Sequence, residues 1–299
     1  MKNKCYIIGN GFDLAHNLPT RFDPDFKNIA RRYEQNEFWD LYQSRENDIW
    51  SDFENLLGCP KFNNLEEIFD GYEPDYLSDR ESDRDGIIYQ AELSGRLKEA
   101  LYDFANNAEE ALVNIDKIEY FEQILALDGY YISFNYTHTL EDIYGIPGDR
   151  ILHIHGEVGK NNLELGYPKG NFNPEKYVFD PTRKGRGHYV ETTIERYINE
   201  IEDYYIRTAY QELFDMCKSF CKDIRVDLLE TFLDTNQCEL KEIVVYGHSC
   251  AIDFEYFNYL STRYSYAHWT FYVRGADQEY NVKSLIKDYR INHATIVKV

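Results

Sequence analysis

Cys5-Tyr6-Ile7-Ile8-Gly9-Asn10-Gly11-Phe12-Asp13-Leu14 is the stretch that decides the fold. A short apolar run closed by Gly-Asn-Gly and followed by a helix-forming segment is the pattern of a buried parallel strand entering a tight turn. At such a strand-to-helix turn, backbone N–H groups and the positive helix end can hold a phosphate, and glycine allows the close approach. The motif is G-x-G-x-x-L, not G-x-G-x-x-G, and no second strand ending in an acidic residue follows ~20 positions on, as a dehydrogenase fingerprint requires. A hydride-transfer site is therefore disfavoured. A tight turn that binds nothing fits the same ten residues.

Working outward, further strands are predicted at Gly129–Phe134, Arg150–His155, Glu242–Tyr246, Trp269–Val273 and Ala294–Val299. They alternate with helical stretches, which predicts an α/β fold: a Rossmann-like parallel sheet flanked by helices. Leu93, Leu97, Leu101, Phe104, Ala108 and Leu112 recur at three and four, one face of a helix, and Val190, Ile194, Tyr197, Ile201, Tyr205, Ala209 and Leu213 predict one or two long helices within 187–222. The expected organisation is a single domain with its core in about 1–20, 127–156 and 241–299 and mainly helical insertions at about 21–126 and 157–240. Asp70–Asp85 reads as an acidic, solvated loop. Gly159–Gly187, with Pro168, Pro174 and Pro181, reads as a long irregular connection of the sort that forms lids and binding loops.

The 299 residues carry 53 acidic and 32 basic side chains, a net charge of −21. Such a surface repels nucleic acid and anionic membranes, and the densest basic spots are only Arg31-Arg32 and Arg183-Lys184-Gly185-Arg186. No apolar run approaches the ~20 residues of a membrane helix, and the N-terminal one stops too early for a secretory signal. The expectation is a soluble, cytoplasmic protein. The cysteines, Cys5, Cys59, Cys217, Cys221, Cys238 and Cys250, show no paired spacing and are expected as free thiols, Cys217 and Cys221 as helix packing.

Chemistry-bearing residues gather at the predicted strand ends. Asn135, in Phe134-Asn135-Tyr136-Thr137, has an amide able to donate to a ribose oxygen and accept from a water, although Asn is equally a helix cap. In Leu152-His153-Ile154-His155-Gly156 the two histidines share a face, with His155 at the mouth and His153 deeper. A packing histidine, or half a metal site in the H-x-H pair, are the rival readings, but no further ligand at recognisable spacing joins the pair and no metal is expected. Gly247-His248-Ser249 is a third strand-end turn, followed by Asp253, and its small residues suit a nucleotide lying across the sheet edge. In His16-Asn17-Leu18-Pro19-Thr20, Asn17 suits a left-handed turn.

Taken in order, IIGNGFDLAHNLPT, WSDFENLL, FNYTHTLE, HIHG and GHSCAIDFEYF resemble the bacterial AbiH abortive-infection family. The chain is also similar to sirtuin-like NAD-binding domains at Gly9, Gly11, Leu18, Pro19, Asn135, Tyr136, His155, Gly156, Gly247 and Ser249. It departs from them at Asp13, Asn17, Thr137 and His248, and it lacks the four-cysteine zinc module of deacetylating sirtuins. The resemblance implies a phage-defence effector that binds NAD as substrate and hydrolyses it to nicotinamide and ADP-ribose. Asn135 would hold the water or ribose hydroxyls and His155 would act as general base. Gly9, Asn10, Gly11 and Phe12 would wrap the pyrophosphate, Asp13 would meet a ribose hydroxyl, and Gly247 with Ser249 the adenosine half. Trp50 and Glu54 belong to the same pattern, with packing as the expected role. ADP-ribosyl transfer, a non-catalytic nucleotide-bound sensor of a phage component and a metal-dependent hydrolase are the alternatives, and homo-oligomerisation stays open.

Overall fold

Strand β1 (Lys4–Ile8) is apolar on both faces, and both are covered. Cys5 and Ile7 enter one core and Tyr6 and Ile8 another, because successive side chains of a strand leave on opposite sides. A strand buried on both faces belongs in the middle of a parallel sheet. The computed structural model, which describes residues 3–34, 36–44, 48–66, 69, 85–88, 91, 96–179 and 189–299, has β1 there. With β2 (Tyr130–Ser133), β3 (Ile151–His153), β4 (Glu242–Tyr246), β5 (His268–Val273) and β6 (Ala294–Lys298) it forms a six-stranded sheet of order β6-β5-β4-β1-β2-β3. Every pairing is parallel. Read from the other edge, the order is that of doubly wound Rossmann-like folds, and the winding reverses between β1 and β4.

The helices follow the reversal. Glu119–Ile124 and Thr139–Tyr144, which flank β2, pack Phe121, Leu140 and Tyr144 on the Tyr6/Ile8 face. Val226–Thr235, Phe254–Arg263 and Gly275–Asp288 pack Leu229, Phe257 and Leu285 on the Cys5/Ile7 face. The strand expected over Arg150–His155 is shorter, since Arg150 ends a 3-10 turn and the His155 carbonyl leaves the ladder to accept from the Glu164 amide at 2.9 Å.

By compactness the chain divides into two units, the first comprising 1–21, 102–164 and 224–299, the second 22–101 and 165–223. The second unit thus falls inside the two expected insertions, while 102–126, 157–164 and 224–240 group with the sheet. It is mainly helical, with Lys27–Tyr33, Phe53–Leu57, Ile194–Glu200 and Tyr204–Ser219. The stretch expected to be irregular contributes the short strands Tyr167–Pro168, parallel to Cys221–Lys222, and Tyr177–Phe179, antiparallel to Tyr189–Glu191. Most of the acidic loop (70–84) and the basic cluster 183–186 lie outside the described residues. Trp50 stacks on Phe53, with ring centroids 4.9 Å apart, and Glu54 pairs with the buried Lys222 at 3.1 Å. Both residues therefore serve the interior of this unit, where a buried ammonium needs its carboxylate.

One contact sets how β1 meets β4. The Gly9 amide donates to the Tyr246 carbonyl and the Gly11 amide to the Gly247 carbonyl, both at 2.9 Å. The two turns lie backbone on backbone, so a Cβ on Gly247 would sit 2.5 Å from the Phe12 nitrogen, and Gly247 also has φ +72°. The variant Gly247→Ala combines a left-handed penalty with a backbone clash and is expected to lose at least ~2 kcal/mol. Urea denaturation of the two proteins measures this; an unchanged midpoint would refute the packing account.

Candidate functional site

Parallel strands bring their carboxyl ends to one edge, and in a doubly wound sheet the ligand crevice lies at that edge, at the switch point. Here the switch lies between β1 and β4. The turns after β1, β2, β3 and β4 carry residues 9–13, Asn135, His155 and 247–249, so the order of the strands brings all the expected site residues to this edge.

The structure redirects the reading of the first turn. The amides of Gly9 and Gly11 bond to β4 and its turn, and the Phe12 amide bonds to the Gly9 carbonyl at 2.9 Å. These three donors, expected together with Asn10 to wrap a pyrophosphate, are thus used inside the protein. The glycines are required by the approach of another backbone, since a Cβ on Gly9 would lie 2.6 Å from the His248 Cα. The helix that follows is a single turn, Gly11–Ala15, and the Phe12 ring is wholly buried in the aromatic core. Asn10 is half-buried and its amide donates to the Thr20 carbonyl at 2.6 Å. Asn17 takes the left-handed conformation expected of it, with φ 59°. His16 is held by the Phe12 carbonyl and the Tyr144 hydroxyl at 2.8 and 2.7 Å.

Asp13 is redirected too. Expected to meet a ribose hydroxyl, it is 1% exposed and its two oxygens accept from Thr137 Oγ1 at 2.6 Å and Thr139 Oγ1 at 2.9 Å. The Asn135 side chain bonds to the same carboxyl group. Burial pushes the Asp13 carboxyl up to about 6 against the pull of these three partners, with Glu109 adding a further push. The Asn135 amide is thereby tethered on one side only: among the described residues its Oδ1 is buried and finds no hydrogen-bond partner.

His155 is 6% exposed, with its ring edge-on to Phe134 at 5.1 Å between centroids. Its Nε2 lies 3.4 Å from Asp253 Oδ1, out of line for a hydrogen bond, and among the described residues neither ring nitrogen has a hydrogen-bond partner. The second oxygen of Asp253 is 3.7 Å from His248 Nε2, and His248 Nδ1 accepts from the Cys250 amide at 3.0 Å. One buried carboxylate thus stands between two imidazoles. Asp253 reaches this position because it precedes helix Phe254–Arg263 in the left-handed conformation, φ 62°. Sequence reasoning missed this role of Asp253, noting it only as a residue that follows the turn after β4. Gly247 and Ser249 flank His248, and Ser249 is exposed, its hydroxyl accepting from the Ala251 amide at 3.3 Å. Gln278 and Asn281 hold this turn through the carbonyls of His248 and Ser249.

His153 does not converge with His155. Its Nδ1 meets the Asn135 carbonyl at 2.9 Å and its Nε2 meets Glu141 at 3.0 Å, so both ring nitrogens are taken. Among the described residues no group of three or more His, Cys, Asp or Glu is arranged to hold a metal ion. The thiols of Cys5, Cys217 and Cys250 are buried and unpaired by disulfide, and burial pushes the Cys250 thiol up to about 12. Cys217 bonds to Tyr42 rather than to Cys221. No helix among the described residues is long and apolar enough to cross a membrane.

The chain is of the doubly wound α/β class, with an imidazole–carboxylate pair and an amide held, among the described residues, only through its nitrogen at the strand ends. The family description Bacteriophage abortive infection AbiH matches residues 5–273, and the chain belongs to the AbiH family. No curated protein sequence and no solved structure matches it significantly.

Beside the crevice, His138 lies between Glu109 at 2.6 Å and Glu157 at 3.1 Å, and hydrogen bonding to Glu109 raises its pKa to about 9. An imidazolium with a raised folded-state pKa stabilises the fold fully below its unfolded value of ~6.5, and that contribution is lost as pH rises through about 9. The denaturation midpoint should therefore fall over this window. The variant Glu109→Gln should flatten the fall; identical slopes for the two proteins would contradict the assignment.

Proposed function

We propose that this AbiH-family protein binds NAD at the β1/β4 switch point and cleaves its nicotinamide–ribose bond, releasing nicotinamide and ADP-ribose as a phage-defence effector. The observation that carries the reading is the pair of buried groups at the strand ends without hydrogen-bond partners among the described residues, the side-chain Oδ1 of Asn135 and the His155 ring, with Asp253 beside the latter. Buried polar groups left unpaired are costly, and a polar ligand relieves that cost. The Rossmann-like strand order, the family membership and the similarity to sirtuin-like domains at Asn135 and His155 support the choice of ligand.

Nicotinamide leaves with the bonding electron pair as a neutral amine from a cationic parent, so its departure needs no proton, and the ribosyl carbon becomes oxocarbenium-like. Asn135 orients the incoming water through its free oxygen. His155 takes the proton as the water oxygen bonds to that carbon. Asp253 stabilises the resulting imidazolium and orients the ring, as a carboxylate does beside a catalytic histidine. Ser249, exposed beside Gly247, is assigned to the adenosine half. The amides of Gly9, Gly11 and Phe12 and the carboxylate of Asp13 have no direct ligand role in this reading.

Incubation of the purified protein with NAD, alone and with phage lysate, followed by chromatography, tests the proposal. Free nicotinamide with ADP-ribose is expected; nicotinamide without free ADP-ribose indicates transfer to an acceptor instead. The variant His155→Ala should slow nicotinamide release by ~100-fold or more and Asp253→Asn by ~10-fold. If neither product forms under any condition, and His155→Ala protects cells against phage as well as the natural protein, the chain is a non-catalytic sensor and the hydrolase reading falls.

A further inference from the structure

Three close oxygen–oxygen contacts link Asp13, Thr137 and Thr139: 2.6 Å from Thr137 Oγ1 to Asp13 Oδ2, 2.9 Å from Thr139 Oγ1 to Asp13 Oδ1, and 2.9 Å between the two threonine oxygens. Each contact needs one proton to be attractive. The two hydroxyl groups supply two. A neutral carboxyl group can supply the third by donating to one threonine instead of accepting from both, so the ring closes fully only when Asp13 is protonated. Once the acid loses its proton, both threonines donate to it and their mutual contact is left without one. The Asn135 amide, bonded to the same carboxyl group, then meets an anion, which can accept from its nitrogen but cannot donate to its oxygen.

We infer that Asp13 is the positioning residue of this site: through its ring with Thr137 and Thr139 it holds the Asn135 amide by the nitrogen and turns the carbonyl oxygen toward the ligand. The inference rests on Asn135 being a ligand-facing group, as proposed above. It explains why a carboxylate with so little exposure follows the first glycine turn: it joins the turn after β1 to the turn after β2, across 124 residues of chain. It also states the polarity of the site. A ligand meets an acceptor at Asn135 Oδ1 and must bring a donor there, a hydroxyl group or a water, whereas an amide turned the other way would ask for a phosphate or carbonyl oxygen.

The groups that bear on Asp13 are few. Burial favours its neutral form and brings its pKa to about 6; the three hydrogen-bond donors oppose this, and the negative charge of Glu109 adds to it. Glu109 is itself paired with His138, which titrates near 9, and the His153–Glu141 pair stands behind the Asn135 carbonyl. His138 therefore keeps its charge while Asp13 changes, and the state of Asp13 is separable from it.

The side-chain NH2 resonances of Asn135, in full-length protein labelled with 15N-asparagine and assigned by their loss in Asn135→Ser, read the coupling directly. Between about pH 5 and about pH 8 they should shift with a midpoint near 6. In Asp13→Asn the titration should vanish, because the new amide cannot ionise. In Thr137→Val, which keeps the shape and removes one donor, the midpoint should move up. If nicotinamide is released, Asp13→Asn should lower kcat by ~10–100-fold with a smaller change in KM, as expected of a misaimed group. Resonances unmoved across the range, or titrating identically in Asp13→Asn, would overturn the inference even where NAD is hydrolysed. A titration that follows Asp13 in a protein that releases no nicotinamide would uphold it and remove the hydrolase reading instead.

Discussion

The close approach of two backbones at the centre of the sheet is the constraint from which the rest follows. Gly9 and Gly11 lie against Gly247 with amide-to-carbonyl bonds of 2.9 Å, and no side chain intervenes. This contact holds the ends of β1 and β4 together where the winding reverses. It also decides which atoms can serve a ligand. Amides committed between strands are unavailable as donors, so the proposed function assigns recognition to the side chains around the turn: Asn135, His155, Asp253 and Ser249. In a Rossmann-like fold a glycine loop commonly meets phosphate, whereas here the same glycines meet a neighbouring turn.

The site is built with a deliberate imbalance. Most buried polar groups around it are satisfied: Asp13 by its threonines, His153 by a carbonyl and Glu141, His138 by two glutamates. Asn135 Oδ1 and both nitrogens of the His155 ring find no partner among the described residues, and neither does the second oxygen of Glu141. A satisfied surround fixes the rotamers of the groups left open, and that fixing is what a catalytic or binding constellation needs. The second unit shows the contrasting arrangement. There, Lys222 meets Glu54, and Lys176 meets Glu66 beneath the Tyr197 ring, so charge is neutralised in place.

Local pattern made much of this legible. A continuous apolar run bounded by Gly-Asn-Gly reads as a central parallel strand, and β4, equally apolar, has the ends expected of it, Glu242 and Tyr246. Asn135 and His155 stand out because polar residues close otherwise apolar strands. What pattern could not supply is the identity of a distant neighbour. A glycine announces that something comes near without saying whether it is a phosphate or another turn. Asp13 looked like a ligand contact because its threonine partners lie 124 and 126 residues away. Asp253 drew no role of its own because the left-handed backbone that aims it at His155 leaves no local signature beyond the residue itself.

The strand that organises the sheet is also the first to be made. β1 is made well before its neighbour β4 and the carboxylate of Asp253, with 233 residues between Ile8 and Glu242. At ribosomal speed that interval is on the order of tens of seconds. During it one edge of β1 stays open and the crevice has no fourth wall. A product cut short before Glu242 would carry Asn135 and His155 but not the backbone that packs on Gly9 and Gly11, nor the carboxylate of Asp253.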